Sequence, residues 1–252
     1  MATFVLVHGS MHGGWCWRRV TPLLRAAGHE VYTPTLTGLG ERAHLAHPAI
    51  NLDTHITDIV NVLVFEELTG VVLVGHSYGM TVSTGVADRV PERIAHLVSL
   101  DGAIPSDGQA PLDYFPPAAQ AARRAAVAAE GDGWRMLPPT DLAGWGLTDV
   151  ADAAWVRAKV VPQPFKTLTQ PIRLTNPAAR AVPKTFIACT AAPSAGWRDA
   201  AIARVRTELR WRYRELPTGH DAMITLPRAT ADLLLEVAAL PDVLAAEIHA
   251  AP

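Results

Sequence analysis

A five-residue segment, Gly75-His76-Ser77-Tyr78-Gly79, lies between the apolar run Val71-Val72-Leu73-Val74 and a helical stretch from Met80 to Val90. It fits the pattern G-x-S-x-G in the one context where that pattern has physical meaning. A serine in so sharp a strand-to-helix turn takes strained backbone angles, and the flanking glycines remove side chains that would clash there. The turn carries the Ser77 hydroxyl to the carboxyl edge of a sheet, beside a helix N-terminus whose amides favour developing negative charge. A chance pentapeptide in an ordinary turn would lack the buried strand before it and the helix after it. This one segment therefore predicts a parallel sheet packed under helices, with a nucleophile on its rim.

The rest of the chain agrees in texture. Phe4–Val7 and Val71–Val74 are continuous apolar runs that read as buried strands, and Val31–Thr33, Ile94–Leu100, Thr185–Thr190 and Trp211–Leu216 read as four more, six in all. Helical spacing appears at Trp17–Ala27, Asp53–Leu68, Met80–Val90, Trp197–Leu209 and Pro227–Ala239. Strand and helix alternate, which predicts a mainly parallel six-stranded sheet with helices on both faces. Between Pro105 and Pro183 the texture changes: proline and alanine are dense, the helical patches (Ala118–Ala129, Asp149–Val160) are short, and strand-like runs vanish. We read residues 1–104 and 184–252 as one core and 105–183 as a helical cap inserted over one end of the sheet.

Composition narrows the function classes. With 49% hydrophobic and 18% charged residues in 252, the chain has ample material for a core. A net charge of −2 argues against nucleic acid or an anionic membrane as partner. No apolar run approaches the roughly 20 residues that cross a bilayer, and Thr3–Val7 reads as a strand rather than a signal peptide. Cys16 and Cys189 stand far apart, outside any CxxC, so neither a disulfide framework nor a thiolate zinc site is expected. The histidine pairs His8/His12 and His44/His47 come without a carboxylate cluster, and no metal or organic cofactor is expected. A soluble cytoplasmic protein follows, with a homodimer admitted.

A serine needs a base. His220, in Pro217-Thr218-Gly219-His220-Asp221, follows the last strand and opens at the same edge as the serine turn. His76 should point away across the turn, and His8 and His12 should shape the loop after the first strand. The base needs an acceptor for its other N–H. Asp101 ends the strand beside that of the serine; Asp199, which belongs to the next helix, is the weaker choice. Asp221 adjoins His220 and is poorly placed to reach its ring. An oxyanion hole is expected from the amides of Tyr78 and Ser10, the latter in the glycine-rich loop His8-Gly9-Ser10-Met11-His12-Gly13-Gly14. Gly9, Trp15 and Trp134 are expected to contact substrate. The alternation Arg210-Trp211-Arg212-Tyr213-Arg214 is that of a strand with one wet face.

The run Val5-Leu6-Val7-His8-Gly9-Ser10-Met11-His12-Gly13-Gly14-Trp15-Cys16-Trp17, the serine turn and Gly219-His220 together resemble the α/β-hydrolase superfamily. Within it the chain is most similar to plant methylesterases, plant hydroxynitrile lyases and related bacterial esterases. The resemblance implies the α/β-hydrolase fold and hydrolysis of small or hydrophobic esters through an acyl-enzyme. It also exposes two departures. The plant members carry their acid just after the strand at Thr185–Thr190, where this chain has Ala191-Ala192; Asp101 matches the position used by haloalkane dehalogenases and some lactone hydrolases. The lyases carry threonine and lysine where this chain has Gly9 and Asp221: glycine leaves room for a hydrolytic water, and aspartate would repel a leaving anion. Both favour an esterase over one alternative, a hydroxynitrile-lyase-like carbonyl lyase; an intact serine, histidine and acid set speaks against the other, a non-catalytic small-molecule receptor.

Overall fold

The computed structural model describes residues 1–191, 196–208 and 210–250, without side-chain detail for 247–250. The expected loop without a carboxylate at 192–195, and Leu209 at the end of a predicted helix, lie outside the described residues. In chain order the strands are β1 (Thr3–Val7), β2 (Glu30–Tyr32), β3 (Val71–His76), β4 (Ile94–Leu100), β5 (Arg135–Met136), β6 (Gln163–Pro164), β7 (Lys184–Cys189) and β8 (Trp211–Leu216). The helices are α1 (Thr21–Ala26), α2 (Leu52–Phe65), α3 (Tyr78–Arg89), α4 (Pro117–Glu130), α5 (Val150–Arg157), α6 (Lys166–Thr169), α7 (Trp197–Thr207), α8 (Ala222–Thr225), α9 (Pro227–Ala238) and α10 (Pro241–Ala250).

Six strands form one sheet in the order β2-β1-β3-β4-β7-β8, every pair parallel. Successive side chains point to opposite faces, so each strand feeds two cores. Phe4, Leu6, Val72, Val74, Val98 and Leu100 pack toward α1 and α9. Val5, Val7, Leu73 and Leu97 pack instead with residues of α2 and α3. Strand β8 is the exception: it is an edge strand with Arg212 and Arg214 on its solvated side, which accounts for the alternating basic and aromatic run.

Strand order reverses between β1 and β3, and in open α/β sheets the crevice beyond the carboxyl ends at such a point takes ligands. The register brings the functional segments to that rim. Val7 pairs Gly75, His76 pairs Leu100, Leu100 pairs Ile187, and Cys189 pairs Leu216. The residues that follow β1, β3, β4 and β8 therefore emerge side by side.

Three local readings change. The predicted helix Trp17–Ala27 is a 3₁₀ turn at Gly14–Trp17 followed by α1, with Pro22 in its first turn. The segment 105–183 is not free of strands: β5 and β6 pair antiparallel through Arg135–Pro164 and Met136–Gln163, too short to show a period in sequence. Helix α10 was not anticipated.

Candidate active site

The turn after β3 is built by close approach. A side chain at Gly75 would meet the Gly79 carbonyl oxygen and the Met80 Cα at 2.6 Å, and one at Gly79 would meet the Val7 and His8 carbonyl oxygens at 2.6 Å. Helix α3 can therefore lean directly on β1 and β3, and Ser77 is forced to φ 53°, ψ −122°. Met11 (φ 65°) and Asp101 (φ 46°) take equally uncommon positive angles at the same rim. Strain of this kind persists only where the surroundings over-determine it, and it gathers at functional sites.

Ser77, His220 and Asp101 form one hydrogen-bonded line. His220 Nε2 lies 2.9 Å from Ser77 Oγ, and His220 Nδ1 lies 2.6 Å from Asp101 Oδ2. Asp101 is fully buried. Burial alone would raise its carboxyl, but hydrogen bonds from His220 and Arg198 outweigh it and hold the pKa down at about 2. An ionised carboxylate can only accept, so His220 Nδ1 carries the proton and Nε2 is left to accept from the serine hydroxyl. The backbone carbonyl of His220 accepts from His76 Nε2 at 3.0 Å. His76 thus points away from the serine hydroxyl, and burial keeps it neutral, its pKa down to about 3.

Asp101 is held from its far side by a residue that sequence reasoning missed. Arg198 Nε donates to Oδ1 and Nη2 to Oδ2, each at 2.6 Å, and the Cys189 amide donates to Oδ1 at 3.1 Å. A planar fork on both carboxylate oxygens fixes the plane of the group as well as its charge. Arg198 lies in the first turn of α7. Nothing beside it in the sequence signals that role. Asp199, the alternative acid, is exposed on the outside of the same turn.

The loop after β1 supplies the opposite wall. His8 Nδ1 donates to the Gly9 carbonyl at 2.8 Å, while His8 Nε2 accepts from the Leu36 amide at 3.1 Å. Burial keeps this ring neutral, its pKa down to about 3. In a trans peptide the N–H points opposite the C=O, so anchoring the Gly9 carbonyl turns the Ser10 amide the other way. Tyr78 opens α3, where an amide has no intrahelical acceptor. Its side chain is buried and tied to His55 Nδ1 at 2.9 Å through the phenol oxygen. Ser10, Ser77, Tyr78 and His220 line one cavity of about 680 Å³. Its far wall comes from residues between β4 and β7 and is mostly apolar, with Leu112, Val127, Met136, Trp145 and Leu168 beside Arg123, Glu130 and Asp141. Trp197 closes it near His220, with ring centroids 5.9 Å apart.

Four expectations need correction. Trp15 does not line the cavity: it stacks on His12 at 5.3 Å, behind the loop. Trp134 does not either, its ring lying 5.1 Å from the Arg135 guanidinium; Trp145 and Trp197 take that role. Gly9 is not among the residues that line the cavity; a side chain there would point at His76 Nδ1 (2.8 Å) and Ser77 Cβ (3.1 Å). Asp221 faces inward onto His12 and is fully buried, so it does not stand over the cavity to repel an anion. Among the described residues no group of three or more His, Cys, Asp or Glu side chains could hold a metal ion, and no helix is long and apolar enough to cross a membrane.

Comparison with known proteins agrees with this architecture. The model of the alpha/beta hydrolase family matches residues 4–233. The chain is 38% identical to a carbendazim hydrolyzing esterase from Nocardioides sp. (strain SG-4G), covering 93% of this chain and 98% of that one. It is 28% identical to Methylesterase 1 of Arabidopsis thaliana, over 93% and 95% of the two chains. Among solved structures it is similar to an extracellular alpha/beta-hydrolase from a Paenibacillus species, described as sharing structural and functional homology with Tobacco Salicylic Acid Binding Protein 2. That likeness has a TM-score of 0.82 at 26% identity and covers 94% and 98% of the chains. The chain belongs to the alpha/beta hydrolase family, and within it to the carboxylic ester hydrolases.

Proposed function

We propose that Ser77 is the nucleophile, His220 its general base and Asp101 the residue that orients and stabilises the imidazolium. The Ser77 hydroxyl gives its proton to His220 Nε2 as the oxygen attacks the ester carbonyl. The tetrahedral oxyanion is received by the Ser10 and Tyr78 amides. His220 then protonates the departing alcohol, leaving an acyl group on Ser77. A water that yields its proton to the same nitrogen releases the acid. The unbroken line of 2.6 Å and 2.9 Å contacts from Asp101 to Ser77 carries this reading. Ser77→Ala is expected to abolish hydrolysis of p-nitrophenyl acetate; retained turnover would reject the nucleophile.

The substrate reading rests on the cavity and on the relatives. A space of about 680 Å³ with a mostly apolar far wall suits an ester with a sizeable hydrophobic part. Carbendazim and small methyl esters are the first substrates to assay, following the names of the Nocardioides and Arabidopsis relatives. Residues 105–183 act as a cap whose packing sets that pocket. Two buried free thiols, Cys16 and Cys189, support a cytoplasmic setting. The proposed homodimer is tested by sedimentation. One argument against the lyase reading falls, since Asp221 faces His12; the other stands, since the Cβ of a threonine at position 9 would lie 2.8 Å from His76 Nδ1.

A further inference from the structure

Among the described residues, a fully buried pair of ionisable side chains takes no part in that machinery. His12, in the loop after β1, and Asp221, next in the chain to His220, are 2% and 0% exposed. His12 Nε2 meets Asp221 Oδ2 at 3.2 Å. The other ring nitrogen, Nδ1, lies 2.7 Å from the Ser10 carbonyl oxygen. A carbonyl and a carboxylate are both acceptors, so an imidazole held between them carries a proton on each nitrogen. His12 is an imidazolium.

The surroundings favour that charge. The ring lies 5.3 Å from Trp15, nearly parallel to it, and 5.1 Å from Trp145, and indole faces attract cations. His76 approaches Asp221 Oδ1 only to 3.6 Å, and burial keeps it neutral. Burial likewise keeps Cys16 a thiol. Burial would lower His12 too, but its attraction to Asp221 prevails and raises it. The pair also sits where three parts of the chain meet. Asp221 donates its amide to the Trp145 carbonyl at 3.0 Å, and Gly219 packs backbone to backbone against Gly146. On the loop side, Met11 donates its amide to the Gln163 side chain at 2.9 Å.

We propose that His12 is a positioning residue, an imidazolium that ties the Ser10 carbonyl to Asp221 and so holds the oxyanion loop at a fixed distance from His220. It acts through the loop and touches no substrate. With the Gly9 carbonyl held by His8, the peptides on both sides of Ser10 are anchored, and the Ser10 amide has one direction left. The proposal rests on the reading of Ser10 as an oxyanion donor. Loss of the tie lets that donor drift, which weakens the transition state and not the bound substrate.

The test uses His12→Asn, His12→Gln and Asp221→Asn. The asparagine amide falls near the position of Nδ1 and keeps only the Ser10 contact; the glutamine amide falls near Nε2 and keeps only Asp221. Each variant is assayed with p-nitrophenyl acetate and with a trifluoromethyl ketone, which adds to Ser77 and places an oxyanion in the hole. Outright loss of an oxyanion donor costs about 10²–10³ in kcat, and displacement of one is expected to cost about ten- to a hundredfold. KM should stay within about threefold, and ketone affinity should fall by the factor lost in kcat. A purely structural role would lower the yield of folded enzyme and leave kcat per titrated site and ketone affinity unchanged; that result overturns the proposal. Should the variants not fold, ¹⁵N spectra of the wild-type enzyme at pH 8 decide it: both His12 ring nitrogens protonated supports the proposal, a neutral ring overturns it. Ser77→Ala run alongside separates the two readings. Turnover surviving there overturns the nucleophile, whereas turnover lost there but kept in His12→Asn overturns only the positioning role.

Discussion

Asp101→Asn changes one oxygen for an amide and leaves shape and volume almost untouched, so its effect isolates the carboxylate. In the native site Oδ1 accepts from the Cys189 amide and Arg198 Nε, while Oδ2 accepts from Arg198 Nη2 and His220 Nδ1. The new amide has one acceptor oxygen for four donors. Facing that oxygen toward Cys189 and Nε turns its NH₂ onto His220 Nδ1, which must then accept. The proton moves to Nε2, and Nε2 can no longer take the one from Ser77. Where a serine-protease acid was exchanged in this way, the wrong tautomer cost about 10⁴ in kcat. The same factor here is about 5.4 kcal/mol of transition-state stabilisation. Arg198, only 5% exposed, also loses its countercharge, and breaking a buried pair costs about 3–5 kcal/mol of stability. The assay must separate the two effects: burst titration counts competent sites, and kcat is taken per site. Asp199→Asn is the control, expected within twofold of wild type. Turnover of Asp101→Asn within tenfold of wild type, or a large loss in Asp199→Asn, would refute the assignment.

Three further outcomes follow from the contacts described. Arg198→Met removes two charge-assisted hydrogen bonds of about 1.5–3 kcal/mol each. The Asp101 carboxyl should rise from about 2, read as an upward move of its ¹³C carboxyl titration; an unmoved titration would contradict this. Stability should fall as pH drops below about 6.5, because burial holds His8 and His76 at about 3 and His55 at about 4. These rings bind fewer protons folded than unfolded in that window, each lowering stability by up to about 1.4 kcal/mol per pH unit. Asp101, depressed to about 2, loses its contribution only below pH 4. Equal urea midpoints at pH 7.5 and 5.5 would refute this. Finally, Gly9→Thr should destabilise the fold by about 1–3 kcal/mol, since its Cβ would lie 2.8 Å from His76 Nδ1; an unchanged melting temperature would contradict that packing.

How far the chain could be read depended on whether a residue's role is written near it in sequence. Ser77 announced itself because strand, turn and helix are contiguous, and the turn dictates both glycines. His220 and Asp101 could be placed because parallel strands deliver their following residues to one rim, whatever the separation along the chain. Arg198 was not legible, since its partner is 97 positions away and nothing local distinguishes it from a surface arginine. The His12–Asp221 pair was hidden likewise: Asp221 was rightly set aside as a partner for the His220 ring, but its burial gave no sequence signal. The aromatic residues show the limit most clearly. Trp15, Trp134, Trp145 and Trp197 are chemically alike, and only the packing of 105–183 decides which of them face the cavity. Strands as short as β5 and β6 carry no period at all.

The central claim, a covalent acyl group passed through Ser77, is tested most directly by rapid quench with p-nitrophenyl acetate followed by peptide mass spectrometry. The expected result is an acetyl group on the peptide containing Ser77, appearing with the burst of nitrophenol and absent from Ser77→Ala. Nitrophenol release with no acylated peptide, or an acetyl group that forms at another side chain at the rate of turnover, would contradict it.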